Sequence, residues 1–117
     1  MQILGSRDPR VRICYRYNPP TKGRVFIANS TKCLDAIAVA IARQGIALLT
    51  DTYIAPATPV RIEIGTSESA PLIEKAAEVV NSGKEQSGMW RHFCKWVRAL
   101  TADEWIYQLR ECKPTHG

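Results

Sequence analysis

The side chains best suited to chemistry in this sequence are arginines. Arg7, Arg10, Arg12 and Arg16 fall within one short N-terminal stretch, and Arg24 and Arg43 follow. A guanidinium pairs bidentately with phosphate and stacks on nucleobases, which an ammonium does not reproduce. The formal charge of +5 has the sign that phosphate recognition requires. Charge that solvates the outer face of a strand accounts for Arg12 and Arg16, which alternate with apolar residues. It does not account for Arg7 and Arg10, which precede the alternating run.

Catalytic and metal chemistry are poorly supplied. The histidines are His92 and His116. His116 stands in a terminal Lys-Pro-Thr-His-Gly, and His92 lies between tryptophans in a strand-like run. There a packed, hydrogen-bonded imidazole is expected rather than a general base. The sequence has no Gly-x-Ser-x-Gly elbow, no phosphate-binding loop ending in Gly-Lys-Ser/Thr and no His-Glu-x-x-His pair. It therefore reads as a binding module with no catalytic residues and no cofactor. A metal site would have to be assembled from Cys14, Cys33, His92 and Cys94, without the tight ligand pairs of a zinc knuckle. Free buried thiols are the expectation instead. The four scattered cysteines, with no Cys-x-x-Cys pair, suit a reducing compartment. No apolar run approaches the roughly 20 residues that span a bilayer. Met1 to Gly5 lacks the pattern of a secretory signal. The expectation is a cytoplasmic protein with no membrane insertion.

These residues need a scaffold, and 117 residues suffice for one domain with one core. Val11, Ile13, Tyr15 and Tyr17 alternate with Arg12, Cys14 and Arg16, which predicts a half-buried strand. Asn18 to Gly23, with Pro19 and Pro20, should break it, and Arg24 to Ala28 should form a second short strand. Cys33 to Ala42 is ambiguous. A helix capped by Ser30 or Thr31 would align Leu34, Ile37, Ala38 and Ile41. A strand would align the β-branched Ile37, Val39 and Ile41. Ile46 to Thr50 and Val60 to Ile64 read as strands, joined through an ordered turn at Ala55 to Pro59. Ile73 to Val80 and Met89 to Arg98 predict a hairpin with a long connector. Within it Trp90, His92, Cys94 and Trp96 share one face.

The strongest local signal is a capping box at Thr101-Ala102-Asp103-Glu104, with Leu100 and Trp105 placed as a hydrophobic staple. Trp105, Ile106, Leu109 and Cys112 recur at helical spacing up to Pro114, predicting a helix from Thr101 to Cys112. Several strands followed by one amphipathic helix suggest a closed or nearly closed antiparallel barrel with the helix against it.

The order of elements resembles the PilZ domain family, from about Ser6 to Cys112. Ala38 to Thr50, continuing through Ala55-Pro56-Ala57-Thr58-Pro59 to Ile64, is similar to the family's central motif. That motif has a strand ending Asp/Asn-x-Ser-x-x-Gly, an apolar strand, a Pro-Gly-Thr-like turn and an alternating strand. The resemblance implies a mainly β protein: a small antiparallel barrel of about six strands with a C-terminal helix packed on it. It favours strand for Leu34 to Ala42. The whole chain would be one domain, with an ordered core at about 6–112 and a flexible tail at 113–117.

The resemblance also implies a ligand, cyclic di-GMP, gripped by an N-terminal Arg-x-x-x-Arg pair and by the strand motif. Arg10 matches the second arginine. Ser6 stands at the first, with Arg7 beside it. Gly45 is kept, whereas Ala40 replaces Asp or Asn and Ala42 replaces Ser. The implied ligand-binding residues are Arg7, Arg10, Arg43 and Gly45. Two methyl groups stand where polar partners belong, so the expected function is a regulatory domain of bacterial cyclic di-GMP signalling that binds the nucleotide weakly or not at all. The alternative is an adaptor on the same fold that has lost the nucleotide and docks on a protein partner. A third reading, single-stranded nucleic acid on Trp90 and Trp96 flanked by Arg91, Lys95 and Arg98, is disfavoured, because an aromatic strand face is usually core.

Overall fold

The computed structural model describes residues 15–65, 73–109 and 112–114. Alternation in the sequence becomes alternation of burial. In β4 (Pro59–Ile64), Val60, Ile62 and Ile64 are buried and Arg61 is exposed. In β6 (Trp90–Trp96), His92, Cys94 and Trp96 point into the core while Arg91 and Lys95 face outward. Cys33–Ala42 is strand β2, with Ala36, Ala38 and Ile41 in the core and Ile37 and Val39 only half-buried, because a register shift between Ala38 and Ala40 breaks the alternation. It pairs antiparallel with β3 (Gly45–Thr50) through a two-residue connection at Arg43 and Gln44.

The hairpin of β5 (Ile73–Lys84) and β6 is longer than its sequence pattern suggests. Polar Asn81 to Lys84 continue the strand, which shrinks the connector to Glu85–Met89, held by Glu85 N–H to Met89 O (2.8 Å) and Gly88 N–H to Glu85 O (2.9 Å). A bulge between Val79 and Asn81 leaves Val80 as an exposed apolar residue.

The N-terminal break is a correction. Tyr15–Ile27 is one strand, β1, running through Pro19 and Pro20. Prolines cannot donate to the ladder, and here they are absorbed by a register shift between Arg16 and Thr21 rather than by ending the strand. This length lets β1 close the barrel. It pairs with β2 along both halves and with β4 from Gly23 to Ile27, completing the circuit β1-β2-β3-β6-β5-β4.

The C-terminal helix is also shorter than its spacing predicts. Helix α1 is Ala102–Leu109, and Cys112–Pro114 is strand β7 rather than a last turn and a free tail. β7 pairs with Tyr15–Tyr17, the part of β1 that β4 does not reach. The backbone groups left open there are satisfied by strand pairing, which outweighs helical periodicity at Cys112. The capping box forms as expected, with Thr101 N–H donating to Glu104 Oε1 (2.9 Å) and Glu104 N–H to Thr101 Oγ1 (3.2 Å). Leu100 is buried, and Trp105 packs against the core and edge-on to Tyr15, ring centres 5.5 Å apart. Lys75 Nζ also reaches Glu104 Oε1 (3.1 Å), tying the helix start to β5.

The barrel is filled by Val25, Ile41, Ile46, Leu48, Ile62, Ile64, Val79 and Trp96, with Ile54 and Leu100 near its ends. No helix among the described residues is long and apolar enough to cross a membrane.

Candidate functional site

The β2–β3 turn is the natural place to look for a site, because the chain enters β1 beside it. Tyr15 pairs with Ile41 and Arg16 with Ala40, so the first described residues lie against the end of β2. Ala40 is 9% exposed and Ala42 is fully buried. Their methyl groups offer neither a hydrogen-bond donor nor an acceptor.

Gly45 opens β3 opposite Lys95. A Cβ there would collide with the Cys94 carbonyl oxygen and come within 2.8 Å of the Phe93 ring. Gly45 therefore allows β3 to pack directly on β6. Arg43 is exposed at the turn, and its Nη2 donates to the Leu100 carbonyl (2.9 Å) while Leu100 N–H donates to the Arg43 carbonyl (2.9 Å). Trp96 N–H likewise donates to the Gln44 carbonyl (2.9 Å). The turn thus carries the lead-in to α1.

A barrel with this strand order and a C-terminal helix has a counterpart among solved structures. The PilZ domain with c-di-GMP of YcgR from Escherichia coli matches over 87% of this chain and 88% of that one, with a TM-score of 0.66 at 13% identity. The fold is that of a PilZ domain. A second PilZ-type match is Bacillus subtilis inhibitor of motility (MotI/DgrA), with a TM-score of 0.64 at 14% identity. There the alignment covers 83% of this chain and 47% of the other, so the chain spans about half of that protein. No family model matches the sequence, and no curated protein matches it.

In this PilZ fold the expected ligand residues are only partly brought together. Arg43 and Gly45 share the β2–β3 turn, with Arg43 already bonded to Leu100. Arg7 and Arg10 lie outside the described residues, as do Cys14 and His116. Cys33 is exposed and Cys94 buried, its thiol pushed up to about 12 by burial. Among the described residues no group of three or more His, Cys, Asp or Glu side chains could hold a metal. Trp96 is 2% exposed and belongs to the core, which removes one of the two stacking surfaces that nucleic acid would need.

Two clusters went unread in the sequence. On the outer face, Glu63 accepts from Arg24 (3.1 Å) and Arg61 (2.9 Å), Arg61 also pairs with Glu74, and the Arg61 guanidinium sits 4.1 Å from the Phe26 ring centre. Burial raises the Glu63 carboxyl, but the hydrogen bond from Arg61 and the charges of Arg24 and Arg61 hold it below its ordinary value. Beside it Lys22, Gly23, Arg24, Asp35, Glu63 and Gly65 line an open cleft of about 220 Å³. The alternation of β1 and β4 put charges outside, but strand register decides which of them meet.

Inside the barrel, His92 is completely buried. Its Nε2 lies 2.9 Å from Thr50 Oγ1 and its Nδ1 lies 2.8 Å from Ser82 Oγ. The packed, hydrogen-bonded imidazole expected from the sequence is present. Its two partners, one from β3 and one from β5, could not be read locally.

Proposed function

We propose that this chain is a non-enzymatic regulatory domain of bacterial cyclic di-GMP signalling that binds the nucleotide weakly. The observation that carries the reading is the fold likeness to a PilZ domain with c-di-GMP over nearly the full length of both chains. Arg10 and Arg7 would contact phosphate and guanine. Arg10 lies five positions before Tyr15, a span of at most about 18 Å, so it is within reach of the β2–β3 turn. Arg43 would contribute its remaining N–H donors, beside Gly45 at the same turn.

Weakness follows from Ala40 and Ala42. A polar ligand group left without a partner costs about 1–3 kcal/mol, so each methyl lowers affinity roughly tenfold or more. Calorimetric titration with cyclic di-GMP, with Arg10→Ala as control, tests the reading. Binding that is weak and abolished by Arg10→Ala is the expected result. Absence of heat at high micromolar nucleotide would sink the ligand half.

The same two alanines favour a second reading, an adaptor on this fold that has lost the nucleotide and docks on a protein partner. A stoichiometric partner recovered without added nucleotide, from a chain that gives no heat, would favour it.

A further inference from the structure

The hydrogen bonds around His92 require one more proton than a neutral imidazole carries. Thr50 Oγ1 lies 2.6 Å from the Thr52 carbonyl, and Ser82 Oγ lies 2.6 Å from the Ile54 carbonyl. A carbonyl oxygen only accepts, so each of these contacts draws on the hydroxyl's single proton. While a hydroxyl donates to its carbonyl it meets the ring as an acceptor, so all four contacts are made at once only by a ring that is N–H at both nitrogens. Nε2 faces Thr50 Oγ1, which lies against the Thr52 carbonyl, and a backbone bond to Thr52 favours a protonated ring nitrogen, so we place the proton of the neutral ring on Nε2. The contested proton lies between Nδ1, Ser82 and Ile54.

We infer that Ser82 is a proton-operated latch on the 51–54 loop. With neutral His92, the Ser82 hydroxyl is shared between donating to Nδ1 and donating to the Ile54 carbonyl. When His92 is protonated, Nδ1–H donates to Ser82 Oγ and the Ser82 proton is given wholly to Ile54. Acid therefore tightens this loop, which carries the half-exposed Tyr53 edge-on to Trp90 at 4.9 Å.

The surroundings leave the proton to these groups. On β6 the same face carries Trp90 and Cys94, whose thiol stays protonated up to about 12. β3 contributes Leu48 and Thr50, and β5 contributes Ser82, with Lys84 beyond it 5.7 Å from the Trp90 ring centre. In the loop Asp51 is exposed and accepts from the Thr52 hydroxyl (3.0 Å). Outside, Arg91 pairs with Glu85. Among the described residues no carboxylate bonds to the ring, so burial sets the His92 titration below its ordinary value.

The test is the carbonyl carbon-13 NMR shift of Ile54 in the full chain, followed across the His92 midpoint read from its ring-proton NMR shifts. The Ile54 carbonyl shift should rise as His92 protonates, because a carbonyl carbon moves downfield when the hydrogen bond it accepts strengthens. In Ser82→Ala the rise should vanish and the His92 midpoint should fall. Ser82→Thr, which keeps the hydroxyl, should restore both. An Ile54 carbonyl shift that is unchanged or falls through the midpoint would overturn the latch. So would Ser82→Ala with the wild-type pH dependence, or a His92 that does not titrate before the chain unfolds.

Discussion

A methyl group added at Gly45 would have to displace backbone, because the nearest atom it meets is the Cys94 carbonyl oxygen rather than the tip of a flexible side chain. Gly45→Ala should lower stability by about 1–3 kcal/mol, read as a lower urea midpoint with the slope unchanged. His92 gives a second residue-scale expectation. Burial holds it neutral in the folded state, with a pKa below the ordinary 6.5. Its contribution is fully present above 6.5 and is lost as pH falls from there towards the folded value. The urea midpoint should therefore fall as pH drops below about 6.5 and level off once the folded His92 ring is protonated. Global stability drops over the range in which the Ser82 latch tightens. The two are compatible because one measures complete unfolding and the other a single loop.

Among the elements, α1 shows what local sequence can specify. The capping box needs only four consecutive residues, and Thr101 and Glu104 meet as their spacing predicts. Thr101→Ala should cost about 1 kcal/mol. The far end of the helix obeys a different cause. Cys112 continues the helical period in sequence but pairs with Tyr17, because β1 has an open flank that only the folded chain reveals. Pro19 and Pro20 mislead in the same way, since a strand shared by three partners tolerates an irregularity that would end an isolated one. The Ala55–Pro59 turn falls between. It is pinned to β5 by Ala57 N–H to Val79 O (2.6 Å) and Val79 N–H to Thr58 O (3.0 Å), with Ala57 at φ 72°. That backbone favours glycine, the residue of the Pro-Gly-Thr-like turn that this segment resembles. Ala57→Gly should raise the urea midpoint, by an amount worth up to about 1–2 kcal/mol before the entropy of glycine is offset.

At the scale of the whole molecule, the order of elements carried more information than any single one. A succession of strands, a hairpin and a capped helix pointed to a barrel, and the barrel closes through β1 with the fold of a PilZ domain. The candidate site was less legible. Arg43 looked like a ligand contact in sequence, yet its guanidinium is bonded to Leu100, a residue 57 positions away. Ala40 and Ala42 are buried at the β2 end, and they bring no polar atom to it. The central claim is that the nucleotide is held chiefly by the N-terminal arginines, without help from β2. Calorimetric titration of the full chain with cyclic di-GMP, beside Arg10→Ala, tests it most directly. The account predicts a dissociation constant of roughly 10 µM or weaker for the wild type and no measurable heat for Arg10→Ala. Submicromolar binding, or binding that survives Arg10→Ala unchanged, would contradict it.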